Sequence, residues 1–529
     1  MTNGLLMLVF HAHLPYVRHS EKDYCLEENW LFEAITETYV PLLMAFEHLT
    51  EEKIDFRLTM TLSPTLLAML SDGFLQNRYH RYLKKALELA DKEKIRTWGH
   101  PHFHQLARFY RARLHHIEDL FFKRYRGNLV SAFRRFQDEG RLEIITCAAT
   151  HGFLPLMQAD TRSINTQIRV GVETYREFLF RSPQGIWLPE CAYYPGLEKE
   201  LLKHGLGYFF IDTSGVEQAE PASPYGVHAP ITTPNGMLAF GRDQDTSRQV
   251  WCAQTGYPGD PVYRDFYRDL GFDLDLSYIA PYIDPAGIRT FTGFKYYRVS
   301  DKGLQKHPYD YHIAFDRARQ HAQDFVSQIT ERCSRMCDEM DREPLVVSAY
   351  DAELLGHWWF EGPLWLEQVI RLISAQDEVQ MITPGEYAKL YPENPVSVPA
   401  PSSWGSQGYY STWLNKTNDW VYPHLYAAAE QMGELVARYP SAEGVRLRAL
   451  NQALRELLLA QSSDWAFIMN NRTTVEYAKE RFKQHLANFS LLYQRLVAAD
   501  VDEAGLEETV SRLESLHPLF PRLDYRYFS

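Results

Sequence analysis

Short apolar runs that alternate with helical segments constrain the fold of this chain more than any other feature. The runs that end in polar residues are Leu5 to Phe10, Phe56 to Leu62, Leu142 to Thr146, Gly185 to Leu188, Tyr208 to Ile211, Leu345 to Tyr350 and Val379 to Ile382. Such runs are typical of strands buried in a parallel sheet. Segments with helical periodicity lie between most of them, for example Ile164 to Phe180 and Ala318 to Arg335. The sequence therefore predicts an α/β protein, either an open sheet or a barrel, with its site at the carboxyl ends of the strands.

Three departures from this alternation suggest the domain organisation. Residues 64 to about 139 are helical and basic, and they separate two predicted strands by more than a usual crossover, so we expect a helical insertion. Residues 215 to 261 are rich in Pro, Gly, Ser and Asp, which predicts an irregular loop that acts as a lid or a structural wrap. The proline-rich stretch from Tyr391 to Ser403 indicates a boundary. We therefore predict a catalytic domain over residues 1–403 and a helical domain over residues 404–529 that contributes to the same cleft.

The charge balance limits the classes of partner. Asp and Glu outnumber Lys and Arg by 68 to 55, which gives a net charge of -13 over 529 residues. This charge repels phosphate backbones and anionic lipid, so we expect neither nucleic acid nor a membrane as a partner. Aromatic residues make up 14% of the chain. Some of them are expected to line a surface for sugars, whose C–H faces pack on rings, although a large aromatic core is the alternative.

The cysteines and the first residues bear on the cellular location. None of the six cysteines forms a CxxC pair, which suggests neither a zinc site nor a disulfide framework and fits a reducing compartment. Met1 to Phe10 has no basic leader before its short apolar run. We therefore expect a soluble, cytoplasmic protein. The sequence does not indicate an oligomeric state.

Two histidines follow the first predicted strand, His11 and His13. This spacing is typical of metal ligands and would suit a hydrolase that uses zinc or another divalent ion. The candidate further ligands would be His100, His102, His104, His151 and His357. No Asp accompanies the pair, however, and a chain with 20 histidines contains close pairs easily. Neutral imidazoles that bind ligand hydroxyls, or that fill a polar cavity, are the alternative, and we predict neither a metal nor a cofactor.

Two carboxylates are the candidate catalytic residues. Glu190 follows a predicted strand within Trp187 to Tyr194, next to a proline and several aromatic residues. Asp351 follows the run Leu345 to Tyr350 and precedes an aromatic patch that contains Trp358 and Trp359. Two carboxylates that converge from different strand ends can perform glycosidic chemistry, because one attacks the anomeric carbon and the other protonates the leaving oxygen. Salt-bridge or capping roles are the structural alternative for each of them.

Several longer motifs carry a specific resemblance. They are His11-Ala12-His13-Leu14-Pro15-Tyr16, Ala149-Thr150-His151-Gly152-Phe153-Leu154-Pro155, Trp187 to Tyr193, Tyr350 to Trp359 and Ser403-Trp404-Gly405, with Gly256 to Asp260 as a further similar segment. Their type and order resemble those of glycoside hydrolase family 57, and in particular its members with 1,4-α-glucan branching activity. The resemblance spans most of the chain. It implies a distorted (β/α)7 barrel with a helical insertion, a C-terminal helical domain, and a retaining mechanism that needs no metal.

The resemblance also implies roles for individual residues. It places the nucleophile on Glu190 and the general acid/base on Asp351. It implies that glucan is bound by His11, His13, His151, Arg264, Ala280, Trp404, Trp413 and Asp464. The two tryptophans would hold the acceptor chain, and the alternative for them is an interdomain core. Phe272 lies near a position where family members often have Trp, and Tyr225 is our candidate for the tyrosine at the tip of the family's lid.

The implied activity is cleavage of an α-1,4 glucan bond followed by transfer of the chain to a 6-hydroxyl, with amylose, glycogen or starch as donor and acceptor. An α-amylase or a 4-α-glucanotransferase of the same family is the first alternative, because all three share the covalent step. A metal-dependent hydrolase or deacetylase built on His11 and His13 is more remote. A glucan-binding protein without catalysis is disfavoured by the presence of Glu190 and Asp351.

Overall fold

A mainly parallel sheet organises the first part of the molecule. The computed structural model describes residues 3–300 and 306–529. Its strands are β1 (Gly4–Ala12), β2 (Leu58–Leu62), β3 (Leu142–Cys147), β4 (Gly185–Trp187), β5 (Tyr208–Ile211), β6 (Ile231–Thr232), β7 (Leu238–Gly241), β8 (Leu345–Asp351) and β9 (Val379–Met381). They follow the order β6-β7-β5-β4-β3-β2-β1-β8, and β9 pairs with β1. The pairing is parallel except between β6 and β7.

The sheet curls until β7 approaches β8. The backbone N–H of Asp243, just after β7, donates to the carbonyl of Val347 in β8 at 2.8 Å. The hydroxyl of Ser247 donates to the carbonyl of Ala349 at 3.2 Å. These contacts join the two ends of the row formed by β1 to β5, β7 and β8, and the predicted distorted (β/α)7 barrel is confirmed.

Alternation along β1 separates the inside of the barrel from its outside. Leu5, Met7 and Val9 pack with Trp187 and Phe210 in an interior cluster. The intervening residues of β1 instead pack with the surrounding helices. Because side chains alternate between faces along a strand, His11 lies on the same face as the interior residues. The register places His11 beside Thr61 of β2 on one side and Asp351 of β8 on the other.

Helices surround the barrel and fill the long connections. In the first part of the chain they are α1 (Glu28–Ala34), α2 (Val40–Glu51), α3 (Pro64–Leu70), α4 (Gly73–Arg96), α5 (Pro101–Glu118), α6 (Leu129–Asp138), α7 (Thr161–Leu179), α8 (Leu197–Lys203), α9 (Thr213–Glu217), α10 (Gln244–Trp251), α11 (Leu270–Asp273), α12 (Leu276–Ile279), α13 (Tyr311–Cys337), α14 (Gly362–Ser374) and α15 (Pro384–Leu390). The helices α3 to α6 occupy the long connection between β2 and β3, where we predicted an insertion. In the part of the chain that the structure describes, no helix is long and apolar enough to cross a membrane.

The C-terminal part is helical. It consists of α16 (Val421–Arg438), α17 (Gly444–Ala460), α18 (Ser463–Asn471), α19 (Val475–Val497) and α20 (Glu503–Leu516). Leu450, Leu454 and Leu457 of α17 are buried in the same apolar cluster as Leu6 and Leu8 of β1. The helices are therefore packed onto the barrel through a continuous core.

Two details differ from the sequence-based expectations. The segment 215–261, expected to be an irregular loop, contains β6, β7 and α10. The strand β7 was missed because its four residues are surrounded by Pro, Gly and Asn, which dominate the local composition. The run Val379 to Ile382, counted among the main strands, forms β9, which pairs with the first residues of β1 and lies off the main strand order.

Tyr225 does not occupy the tip of a lid over the strand ends. Its hydroxyl donates to Asp341 at 2.7 Å, and the guanidinium of Arg342 lies over its ring. Both partners precede β8, whereas Asp351 ends it, so Tyr225 lies at the opposite end of the barrel from Asp351. Sequence could not show this, because the connection from β5 to the parallel strand β7 runs from the carboxyl end of the barrel to its amino end, and only the fold decides where along this path Tyr225 lies.

Candidate active site

Glu190 lies on a tight turn directly after β4. Pro189 begins a short 3-10 turn, and Glu190 and Cys191 have φ angles of 63° and 50°. Residues with side chains rarely adopt this left-handed region, and such strain persists where surrounding contacts enforce it. Here the N–H of Cys191 donates to Leu188 at 2.8 Å. The turn directs a carboxylate with 6% relative exposure into the carboxyl end of the barrel.

The segment 402–404 holds this turn from one side. Ser402 and Tyr193 pair as an antiparallel bridge, and the N–H of Trp404 donates to the carbonyl of Glu190 at 3.0 Å. The indole Nε1–H of Trp404 then donates to Oε2 of the Glu190 carboxylate at 2.8 Å. The ring of Trp404 also packs edge-on against Trp187, with 5.1 Å between centroids. Trp404 therefore contacts the candidate nucleophile directly.

The helical domain holds the other oxygen of the same carboxylate. Ser463, the first residue of α18, donates its hydroxyl proton to Oε1 of Glu190 at 2.8 Å. The N-terminal end of a helix carries partial positive charge, which favours a nearby anion. Both carboxylate oxygens of Glu190 thus accept a hydrogen bond, from partners that are distant from it in sequence.

Asp351 ends β8 next to His11 of β1. Burial raises the pKa of Asp351 to about 6, while the positive charges of His13 and Arg242 act against this increase. Burial also raises the pKa of Glu190 to about 7; the hydrogen bonds from Trp404 and Ser463 lower it, and the charges of Asp464 and Asp351 raise it. The two carboxylates therefore interact electrostatically, as a catalytic pair must.

Three histidines stack beside this pair. The rings of His13 and His151 are parallel, with 3.8 Å between centroids, and His11 stacks on Trp187 at 4.8 Å. Nε2 of His11 lies 2.9 Å from Nε2 of His151. Burial, together with the charge on His13, lowers the pKa values of His11 and His151 well below their usual range. Both rings are therefore neutral near pH 7.

His13 is the one member of the group whose pKa is raised. Its Nε2 lies 3.1 Å from Oδ2 of Asp464, and its Nδ1 lies 2.9 Å from the hydroxyl of Ser63. Burial lowers the pKa of His13, but Asp464 and, to a smaller extent, Glu190 more than offset this and raise it. The contact with Asp464, a carboxylate of the helical domain, thus favours the imidazolium form of His13.

Within the described residues, some side chains of this site, and one group outside it, bring possible metal-ligand atoms close together. The groups whose donor atoms lie within 4.8 Å of one another are His13 with His151 and Asp464, His11 with Cys147 and His151, and Glu456 with His485 and His517. In this structure, His13 bonds Asp464 and His11 bonds His151, while both histidines of the third group bond Glu456. We assign no metal to them.

Two predicted glucan contacts, Arg264 and Ala280, lie elsewhere, as does Phe272, the position where family members often have Trp. Nη2 of Arg264 pairs with Glu37 at 2.9 Å in a buried position, and the guanidinium lies over the ring of Phe360. Ala280 is exposed in a 3-10 turn of the long connection between α10 and α13. Phe272, in the same connection, is 44% exposed and packs edge-on against Phe291. None of these residues hydrogen-bonds Glu190 or Asp351 in the described part of the chain.

Trp413 does not form an open platform. Its side chain is only 1% exposed, and its ring stacks on Phe153 with 4.8 Å between centroids. It belongs to a small apolar cluster with Ala192, Tyr410 and Ala466 that joins the barrel to α18. Trp413 therefore lies in an interdomain core, which was the alternative prediction for it, because packing against α18 removes the ring from solvent.

Sequence reasoning missed several groups around the pair. Ser463 donates a hydrogen bond to Glu190, and the charge of Arg242 lowers the pKa of Asp351. The ring of Trp187 stacks on His11. Burial raises the pKa of Glu353 to about 8, and its carboxylate accepts a hydrogen bond from Tyr39. Glu353 lies two residues after Asp351, so its proximity was readable from the sequence. For the others, no local pattern indicated the contact.

Comparisons with known proteins show the family of this chain. Residues 7–399 match the model of glycosyl hydrolase family 57, and residues 424–528 match the model of the 1,4-alpha-glucan branching enzyme C-terminal region. A 1,4-alpha-glucan branching enzyme from Thermococcus kodakarensis is 33% identical over 98% of this chain and 78% of that protein.

Two solved structures are similar over nearly the whole length. The alpha-amylase AmyC from Thermotoga maritima has a TM-score of 0.92 and 45% identity, with 99% of each chain covered. A GH57-type branching enzyme from Pyrococcus horikoshii has a TM-score of 0.90 and 30% identity, with 100% of this chain and 97% of that chain covered.

Proposed function

We propose that this chain, which belongs to glycosyl hydrolase family 57, is a 1,4-α-glucan branching enzyme. It cleaves an α-1,4 glucan bond and transfers the released chain to a 6-hydroxyl, which creates an α-1,6 branch. One observation carries the proposal: a C-terminal region that matches branching enzymes inserts Ser463 and Asp464 into the site of Glu190 and Asp351. The similarity to a branching enzyme over 98% of this chain supports it.

In the first half-reaction, Glu190 attacks the anomeric carbon and Asp351 protonates the departing glycosidic oxygen. A covalent glycosyl–enzyme ester forms at Glu190, and the shortened glucan leaves. This is the retaining mechanism, in which one carboxylate acts as nucleophile and the other as general acid. The left-handed turn at Glu190 serves this step because it points a single carboxylate out of the strand end towards the substrate.

The mechanism needs Glu190 ionised and Asp351 protonated at the same time. Considered separately, the raised pKa values of about 7 and about 6 place the proton preferentially on Glu190. The pKa of Glu190 is raised in part, however, by the negative charge of Asp351, and this contribution vanishes once Asp351 holds the proton. The hydrogen bonds from Trp404 and Ser463 then favour the anion of Glu190, so we assign the shared proton to Asp351.

In the second half-reaction, Asp351 takes the proton from an incoming 6-hydroxyl, whose oxygen attacks the anomeric carbon and displaces Glu190. The ring of His13 packs beside the reacting position while its two nitrogens face Asp464 and Ser63. His11 and His151, both neutral, pack beside it. We propose that these three histidines and Asp464 contact the sugar at the point of cleavage, which orients its ring for both attacks.

Hydrolysis is the second candidate activity, because AmyC is described as an alpha-amylase and is 45% identical to this chain. An amylase uses the same covalent intermediate and lets water take the place of the acceptor. The two activities therefore share Glu190 and Asp351. They differ in the acceptor that attacks the glycosyl ester, which is water in hydrolysis and a glucan 6-hydroxyl in branching. A 4-α-glucanotransferase would differ only in transferring to a 4-hydroxyl.

The deciding experiment incubates the protein with amylose and measures three products. New α-1,6 bonds appear as short chains after treatment with a debranching enzyme, whereas hydrolysis appears as new reducing ends. A 4-α-glucanotransferase would redistribute linear chain lengths without either product. New reducing ends without branches would overturn the branching proposal in favour of amylase activity.

Matched variants test the assigned roles. Glu190→Gln keeps the side-chain volume but removes the nucleophile, so it should abolish every product. Asp351→Asn should be inactive on amylose, yet it should still form the covalent ester from a donor with a good leaving group, such as a maltosyl fluoride. Substantial activity of Glu190→Gln, or no trapped ester with Asp351→Asn, would contradict the assignments.

We further propose that the protein acts in the synthesis of a glycogen-like or starch-like glucan in the cytoplasm. Its cysteines, all free in the structure, fit a reducing compartment. Cell fractionation with detection of the protein tests the location, and the branch content of glucan in cells that lack it tests the role.

A further inference from the structure

A continuous hydrogen-bonded chain joins His11 to Glu190. Nε2 of His11 lies 2.9 Å from Nε2 of His151, and Nδ1 of His151 lies 2.8 Å from the hydroxyl of Ser463. The same hydroxyl lies 2.8 Å from Oε1 of Glu190. All four side chains are buried, so the N–H and O–H groups between them donate to one another rather than to solvent.

Chemistry fixes the direction of every bond in this chain once Glu190 is ionised. A carboxylate only accepts, so Ser463 donates its single proton to Glu190 and must accept from Nδ1–H of His151. His151 is neutral, so its Nε2 then carries a lone pair and accepts from Nε2–H of His11. His11 is left with an acceptor at Nδ1. Among the four ring nitrogens of His11 and His151, this is the one without a hydrogen-bond partner in the described residues.

The backbone holds His151 and Ser463 in register. Gly152 and Ser462 pair as an antiparallel bridge, and the N–H of Ser463 donates to the carbonyl of His151 at 2.9 Å. Gln167 of α7 donates to Gln461 at 3.0 Å, and the hydroxyl of Thr150 donates to the carbonyl of Leu458. The loop after β3 and the α17–α18 junction therefore form one unit, although they belong to different parts of the chain.

We propose that Ser463 is a positioning residue that, oriented by His151 and His11, keeps the Glu190 carboxylate ionised and aimed at the substrate. The proposal rests on the assignment of Glu190 as nucleophile and goes beyond it, because it makes the helical domain a requirement for the nucleophile itself. A barrel without a docked α18 would lack the donor to Oε1 and retain only Trp404 on Oε2.

Other groups around Glu190 also affect its titration. The charged and titratable neighbours are Asp351 on β8, Asp464 on α18, His13 after β1, His151 after β3, Arg242 after β7 and the thiols of Cys147 and Cys191. A serine carries no charge, so its removal changes none of these charges. A changed titration of Glu190 in a Ser463 variant therefore reports the lost hydrogen bond.

The test compares pH profiles of kcat/KM for the full-length wild type, Ser463→Ala and Ser463→Thr on a chromogenic maltooligosaccharide. The acidic limb reports ionisation of Glu190 and the basic limb reports loss of the Asp351 proton. Removing the donor destabilises the anion, so the acidic limb of Ser463→Ala should lie about one to two pH units higher than that of the wild type. At a pH below both limbs, kcat/KM should be roughly 10- to 100-fold lower than in the wild type. Ser463→Thr keeps the hydroxyl and should restore the wild-type limb.

Melting temperatures, measured on each variant, separate this role from a structural one. A Ser463→Ala protein with a lower rate at every pH and an unmoved acidic limb would overturn the proposal. If Ser463→Ala does not fold, Ser463→Cys replaces it, since a thiol of similar shape is a weaker donor and should also move the limb. A wild type without any activity on glucans would contradict the proposed function instead, so the two failures are distinguishable.

Discussion

The hydrogen bond from Trp404 to Glu190 allows a sharp test of how the proposed nucleophile is kept ionised. Trp404→Phe retains an aromatic ring but removes the Nε1–H that lies 2.8 Å from Oε2. A hydrogen bond to a charged group contributes about 1.5–3 kcal/mol. Its loss should raise the pKa of Glu190 by about one to two pH units, because about 1.4 kcal/mol corresponds to one unit. The acidic limb of kcat/KM should move up by the same amount.

Trp413 supplies the matched control, because Trp413→Phe makes the same chemical change in the same segment. Its indole nitrogen is buried, and it has no hydrogen-bond partner within residues 3–300 and 306–529. The substitution removes part of a ring that stacks on Phe153, which should cost about 1–3 kcal/mol of unfolding free energy through the cavity it leaves. We expect lower thermal stability with an unchanged acidic limb.

The assay measures initial rates on a chromogenic maltooligosaccharide between pH 4 and pH 9, together with branching and new reducing ends on amylose. If the acidic limb of Trp404→Phe coincides with that of the wild type while branching falls relative to hydrolysis, Trp404 acts as an acceptor platform and our reasoning is refuted. A shift of the limb in Trp413→Phe would equally show that the effect is not specific to the bond with Glu190.

Three further predictions follow from buried charges. Asp351 binds its proton more tightly in the folded protein than at its ordinary pKa of 3.8, so the wild type should lose up to about 3 kcal/mol of stability as pH rises from about 4 to above 6. Asp351→Asn should remove the share of this dependence that Asp351 contributes, as measured by urea unfolding at pH 4 and pH 8, while Glu190 and Glu353, whose pKa values are also raised, retain theirs. An equal pH dependence in both proteins would contradict the raised pKa of Asp351. Asp464→Asn should lower the pKa of the His13 imidazole, because Asp464 raises it most, and a titration of the ring by NMR checks this; an unchanged titration would exclude the ion pair. Arg264→Met should lower the unfolding free energy by about 3–5 kcal/mol by leaving Glu37 buried without its cation, as measured by urea unfolding. A higher KM for amylose at unchanged stability would instead support a direct glucan contact for Arg264.

The sequence pattern by itself predicted the α/β class and the two candidate catalytic carboxylates, whereas the choice of a barrel over an open sheet came from the family resemblance. Continuous apolar runs such as Leu345 to Tyr350 are typical of strands buried on both faces, and a carboxylate just after such a strand lies at the end of the sheet where sites form. The spacing of His11 and His13 likewise puts both rings on one side of the chain, because strand side chains alternate. These features depend on neighbours within a few residues, which the sequence displays directly.

Tertiary structure alone decided what surrounds the carboxylates. Ser463 is 273 residues from Glu190 and Trp404 is 214 residues from it. Nevertheless, Ser463 donates a hydrogen bond to Oε1 of Glu190 and Trp404 donates one to Oε2. The same holds for Arg264, which pairs with Glu37 from 227 positions away, and for Trp413, whose ring is buried by Phe153 and α18. A side chain's environment is set by which surfaces pack together, and packing depends on the whole core rather than on any local pattern. The sequence therefore located the two candidate catalytic carboxylates, whereas only the fold showed which groups surround them and shift their pKa values.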